Sequence, residues 1–315
     1  MAKYIIRRIL QLIPMWFLVS FIMFMLLRCS NISPIAAMLG DKQTTPEVVA
    51  QLEKDYNLDK PLTMQYFIWI TNFIQGDFGT DYKMKQSVNT IIATRLPVTL
   101  GIVGMGVTFG FIIAVAAGVI CALKNNTWVD QMVSIILLVI VSAPNFVIAT
   151  LLLIIVVNIN PNYTFVGSYS NFAEYIERLA LPSLVTALSM IAMTGRVTRS
   201  SMIEQLKSNY VTTATAKGIS GFRVIFIHAF RNAMIPVLTI ATMYIGTMIG
   251  GTVLIESVFS LSGIGSLLVT SIQQSNYPVT QAIMMILLTV YLSVSLVTDI
   301  LYAAVDPRVR QKMKG

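Results

Sequence analysis

The chain has 315 residues, of which 56% are hydrophobic and 11% charged, against roughly a quarter charged in an ordinary soluble domain. Two soluble cores need more polar surface than this composition supplies, so the class is all-α integral membrane protein. The net charge of +8 is not gathered into one domain with interleaved aromatics, which argues against nucleic acid as a partner.

A bilayer core of about 30 Å takes roughly 20 apolar residues as a helix, and six charge-poor runs are long enough. The first lies between Arg8 and Arg28. It follows Lys3, Arg7 and Arg8 as a signal peptide would, but Arg28 stands where a lipoprotein cleavage site before Cys29 needs a small residue. Residues 1–28 are therefore read as a tail and an uncleaved first span, with Pro14 kinking or loosening it. Residues 29–95 form an external segment with helix-like pieces at 45–56 and 62–74 and turn signals at Gly76, Asp77 and Gly79. The second run, 96–123, opens a core of residues 96–315. The third follows Asp130 and continues to about Val157. Pro144 interrupts it, and Ser142 and Asn145 put polar groups at its middle. The fourth, about 179–195, carries Thr186 and Ser189. These polar groups suit a polar path or hydrogen bonds between helices. Residues 196–232 form a long loop, and long loops are usually functional. The fifth run is 233–255 and the sixth 280–304, the latter holding Asp299. An acid there suits a proton relay or, near the inner boundary, a structural pair with Arg308.

Basic loops stay cytoplasmic. With both termini inside, 14 of the 22 basic residues and 4 of the 14 acids fall on the inner side. The +8 then divides into +10 inside and −2 outside, and the reverse topology would invert a strong bias. Cys29 and Cys121 fall near opposite faces, too far apart for a disulfide. One histidine, His228, cannot assemble a metal site with them, and no Gly-Lys-Ser or Gly-Lys-Thr phosphate loop exists. The chain is read as non-catalytic. Gly106 with Gly110, and Gly246 with Gly250, make two small-residue faces for close helix contact, within this chain or with a second membrane subunit.

In the 196–232 loop, residues 209–217 suit a short helix capped by Asn209 and stopped at Gly218, a knob of exposed small residues for a partner's groove. Tyr210, Val211, Ala214, Ala216, Lys217 and Gly218, followed by Arg223, His228, Ala229, Arg231, Asn232, Ala233 and Pro236, resemble the signature of the inner-membrane permease subunits of ABC importers, in the peptide and nickel group. The resemblance extends over nearly the whole chain, through Tyr56-Asn57-Leu58-Asp59-Lys60-Pro61-Leu62, Gly76-Asp77-Phe78-Gly79, Arg95-Leu96-Pro97, Glu256-Ser257-Val258-Phe259 and Asp306-Pro307-Arg308. It is closest to the first permease of a pair, the one with the long external segment. Asn276 stands where that group usually has aspartate before Tyr-Pro, and Ser262 where it has proline.

That resemblance implies a six-span type I permease importing di- or oligopeptides, with nickel or a metal chelate as the alternative cargo. It implies a bacterial cytoplasmic membrane, a second homologous permease, two ATPase subunits holding ATP and magnesium, an external solute-binding protein, and no cofactor on this chain. Tyr210, Thr213, Ala214, Ala216, Lys217, Gly218, Ile219 and Arg223 become the coupling residues, supported by Arg196, Arg199, His228, Arg231 and Asn232. Ser142, Pro144, Asn145, Ser189, Glu256 and Phe259 are candidate path or gate residues. Asp299, Asp306 and Arg308 are structural residues at the inner end. The rival reading, a lone proton-coupled carrier, needs internal repeats and more mid-membrane acids than the chain contains.

Overall fold

A computed structural model describes residues 2–29, 34–39, 45–167 and 169–305. Among these the fold is all-helical: α1 (Ala2–Arg28), α2 (Pro34–Leu39), α3 (Pro46–Asp55), α4 (Leu62–Ile74), α5 (Val88–Leu123), α6 (Trp128–Ser142), α7 (Asn145–Ile159), α8 (Phe172–Thr186), α9 (Leu188–Leu206), α10 (Asn209–Ala216), α11 (Gly221–Arg223), a π-helical stretch (Val224–Ala229), α12 (Phe230–Val258), α13 (Ile264–Gln273) and α14 (Tyr277–Val305). Four continuous helical segments are long and apolar enough to cross a bilayer, and two bent pairs bring the number to six if each pair is one span.

The third and fourth predicted spans are broken helices. α6 and α7 meet at 105°, α8 and α9 at 60°. Pro144 explains the first break: it has no N–H for the ladder and drives the residue before it out of the helical region. Ala143 is accordingly extended, at φ −104° and ψ 139°. At the second break, the Thr186 hydroxyl donates to the Pro182 carbonyl at 2.8 Å, a side-chain bond that loosens and bends a helix. Pro14, by contrast, leaves α1 unbroken.

The predicted 196–232 loop is mostly helix as well. α9 continues to Leu206 because Thr198, Ser201 and Met202 stay buried after Arg196. A charge ends an apolar run without ending the helix that carries it.

The chain divides into two compact units, one of residues 7–99 and 262–292, the other built on residues 100–261. In the first, Phe24 of α1, Tyr66 and Ile70 of α4 and Met285 of α14 form one cluster. Ser20 and the Tyr66 hydroxyl bond at 2.8 Å inside it. Val88, Ile92, Ile264, Val279 and Ile283 form another, where Thr99 Oγ1 accepts from the Ile264 N–H at 3.0 Å and so caps α13.

In the second unit, α9 is the central element. Met190, Ile191 and Ala192 pack with Leu137 of α6 and with Ala241 and Met248 of α12. Close approach depends on glycines of α5. A β-carbon at Gly110 would lie 2.8 Å from Ala187 Cβ, and one at Gly118 would lie 2.4 Å from Thr198 Cβ. Gly106 and Gly110 thus serve packing within the chain, whereas Gly250 meets nothing within 4 Å.

Candidate functional site

α10 is placed by its own apolar spacing. Val211 and Ala214, three residues apart and therefore on one face, are 6% and 9% exposed against Met202, Val224, Ala229 and Ala233. This corrects the expected knob: Ala214 is the foot of the helix, small so that α10 can lie close. The outward face is Thr212, Thr213, Ala216 and Lys217. The N-terminal cap position is Ser208, with Asn209 the first helical residue, and no side chain accepts there.

The C-terminal end closes in a Schellman motif. Gly218, at φ +77°, donates to the Thr215 carbonyl at 2.9 Å, and Ile219 donates to the Ala214 carbonyl at 3.3 Å. Only glycine adopts that φ without strain, while Ile219 packs on the cluster beneath α10. Gly218 and Ile219 are thus elements of the turn, whatever else they contact.

Tyr210 ties three segments together. Its hydroxyl donates to Gln205 Oε1 at 2.8 Å and accepts from Asn232 Nδ2 at 3.1 Å, joining α10 to the end of α9 and the start of α12. Tyr210→Phe is expected to lower the thermal stability of the purified chain by about 1 kcal/mol, the net worth of such bonds at a half-open site. A double-mutant cycle with Asn232→Ala should show coupling, and additive losses would mean that the bond does not form.

The supporting residues divide. Arg196, Arg223 and Arg231 are exposed and His228 half-buried in the π-helical stretch. Arg199 turns inward: its Nε and Nη2 donate to the two oxygens of Asp130 at 2.5 and 2.7 Å, and Nη2 also reaches Asn125 Oδ1 at 3.2 Å. Asp130 is only 2% exposed. It further accepts from the Asn126 N–H at 3.0 Å and the Ser134 hydroxyl at 3.4 Å. A bidentate Arg–carboxylate pair fixes geometry as well as charge. It fastens the α5–α6 turn and the start of α6 to α9, about two helical turns before α9 ends at Leu206.

Of the candidate path residues, Ser142, Pro144, Asn145 and Ser189 line one recess of about 520 Å³ at the α6–α7 break, with Thr186, Tyr244 and Gly251 also in its wall. Ser189 Oγ donates to Asn145 Oδ1 at 3.1 Å across it, and Ser142 bonds back to the Leu138 carbonyl. Glu256 and Phe259 are not in this recess. Both are fully buried, with the Phe259 ring edge-on to Phe165 at 4.8 Å. Asp299 is half-buried on α14, and Asp306 and Arg308 lie outside the described residues.

Three residues escaped the sequence reading. Asp130 carried a signal, since an acid opening an apolar run on the inner side needs a cation there and Arg199 was available. Phe222, 74% exposed with its ring 4.6 Å from Phe226, is an apolar surface residue in a polar stretch. Gln205 had no signal.

Residues 114–311 match the family described as binding-protein-dependent transport system inner membrane component, and residues 1–103 match the N-terminal component of such membrane proteins. A putative peptide transport system permease protein of Brucella abortus is 33% identical over 313 residues, covering 98% of this chain and 99% of that protein. The glutathione transport system permease protein GsiC of Escherichia coli strain K12 is 34% identical over 312 residues, covering 99% of this chain and all of the other.

Proposed function

The chain belongs to the binding-protein-dependent transport system inner membrane component family, and from that premise we propose that it forms half of a peptide-import path and couples it to separate ATPases through α10. It is a multi-pass protein of the bacterial inner membrane and an ABC-importer permease of the peptide type.

The observation that carries the coupling reading is the two-sidedness of α10. Val211 and Ala214 root it in the unit while Thr212, Thr213, Ala216 and Lys217 stand out. A short helix held at its base by packing, at its end by Gly218 and at its side by Tyr210 can pass a push to α9 and α12 together. ATP and magnesium, bound on two partner ATPases, would supply the energy. Closure of those partners would bias a bistable helix set between inward-open and outward-open arrangements. An external solute-binding protein would deliver a di- or oligopeptide, and both chain termini would lie in the cytoplasm. A second homologous permease and lipid would cover the outward face of α12, where Met243 and Leu254 are exposed beside the open Gly250. The polar recess at the α6–α7 break suits a path wall.

The decisive variants are Thr213→Arg and Ala216→Glu, which alter the outer face and leave the buried foot intact. ATP-driven dipeptide uptake should fall more than 10-fold with insertion and thermal midpoint unchanged. Normal uptake by both variants would overturn the docking assignment.

A further inference from the structure

The unit of residues 7–99 and 262–292 holds a second cavity, of about 200 Å³, walled in part by Phe24, Trp69 and Tyr82. Among the described residues, five have a buried side-chain nitrogen or oxygen with no hydrogen-bond partner, at Nε of Arg28, Oε1 of Gln65, Nε2 of Gln281 and the hydroxyls of Ser183 and Thr194; the first three residues belong to the lining of this one cavity. Gln65 and Gln281 are 8% and 6% exposed. Buried polar groups are nearly always satisfied, so three residues with orphaned atoms around one cavity mark a place built for something polar.

The atoms specify what. Gln65 Nε2 already donates to the carbonyls of Lys60 at 2.8 Å and Leu58 at 3.3 Å. That holds the amide one way round and leaves its oxygen as an acceptor. Arg28 and Gln281 present donors, and the Arg28 guanidinium sits 5.4 Å over the Phe24 ring, which fixes a cation at the wall. Two donors beside a positive charge suit a carboxylate, and an acceptor close by suits an N–H next to it. Asp55 and Asp77 are exposed residues of the same lining and favour an ammonium group. Burial pushes the Tyr82 phenol up, above its ordinary range, so no phenolate competes for Arg28. The volume lies below the roughly 300–1,000 Å³ of drug-sized sites and suits one residue rather than an extended peptide.

We propose that this cavity binds the carboxylate end of an amino acid or peptide, with Arg28 and Gln281 donating to the carboxylate and Gln65 accepting from the adjacent N–H. Its occupancy needs neither ATP nor a partner.

The test uses the full chain in lipid nanodiscs with Trp16→Phe and Trp128→Phe, so that Trp69 alone reports. Alanyl-alanine, its C-terminal amide and free alanine are titrated in turn, with calorimetry on the unaltered chain in parallel. Saturable change with alanyl-alanine or alanine, at least 10-fold weaker with the amide and at least 10-fold weaker in Gln65→Leu and Gln281→Leu, is the expected result. Binding of alanine alone identifies a free amino acid as the source, and binding of the dipeptide alone identifies a peptide end. No saturable change, equal binding of the amide, or unchanged binding in both glutamine variants overturns the site. Should the variants fail to insert, the amide comparison on the unaltered chain decides.

Discussion

Arg199→Ala is expected to cost about 3 kcal/mol of stability and to abolish uptake. Removing one partner of a buried pair typically costs 3–5 kcal/mol because the other charge stays buried and uncompensated. The lower end applies here because the Arg199 side chain is 31% exposed while that of Asp130 is 4%. Asp130 would keep the Asn126 N–H, the Ser134 hydroxyl and the Cys121 thiol, none of which is a cation. Arg199→Lys should lie between, since an ammonium cannot reproduce the two-point contact. Pairing Asp130→Asn with Arg199→Ala should recover at least half of the loss. Thermal unfolding of the detergent-purified chain measures each step. An Arg199→Ala chain within about 0.5 kcal/mol of the parent, the scatter of ordinary surface changes, would mean that the pair holds nothing together.

The second large effect lies where α5 meets α9. A β-carbon at Gly118 would stand 2.4 Å from Thr198 Cβ and 2.6 Å from the Gly195 carbonyl oxygen. Neither neighbour is the far end of a flexible side chain, so the helices themselves must separate. Gly118→Leu is expected to cost more than 3 kcal/mol, beyond the usual 1–3 kcal/mol of overpacking, and to leave little monodisperse protein in size-exclusion chromatography. Gly104→Ala on the same helix has open space and should be neutral or gain up to about 1 kcal/mol from helix propensity. Equal behaviour of the two variants would show that contact with α9 does not set the glycine at 118.

The sequence was most legible where one physical requirement acts alone. Apolar length located the membrane-crossing segments, because lipid demands it regardless of partners. Gly218 announced the end of α10, because few residues adopt its φ. Pro144 announced a disturbance, but the size of the bend depends on what α6 and α7 pack against. Residues needing two conditions were read less well. Ala214 is small and lies in a short polar helix, which suits an outer knob as well as a buried foot, and only the position of Met202 and Ala229 beneath it decides. Glu256 and Phe259 lie in a stretch that carries part of the family resemblance, yet burial sets them apart from the recess. The orphaned atoms of Arg28, Gln65 and Gln281 come from three distant parts of the chain, and no local pattern joins them.

The π-helical stretch between Val224 and Ala229 makes chain length itself part of the design. A π turn holds an extra residue that an α-helix has no room for. Deleting one residue there would let the ladder close as an ordinary α-helix, and because residues in the wider π turn each rotate the chain less, five α residues turn it about as far as the six they replace. Asn232 would stay by the Tyr210 hydroxyl and Ala233 in the cluster under α10. The same deletion in a helix without a π turn would rotate everything after it by about 100°, the angle of one residue at 3.6 per turn. The stretch is thus the place where a homologous chain can differ by one residue in length and keep both contacts.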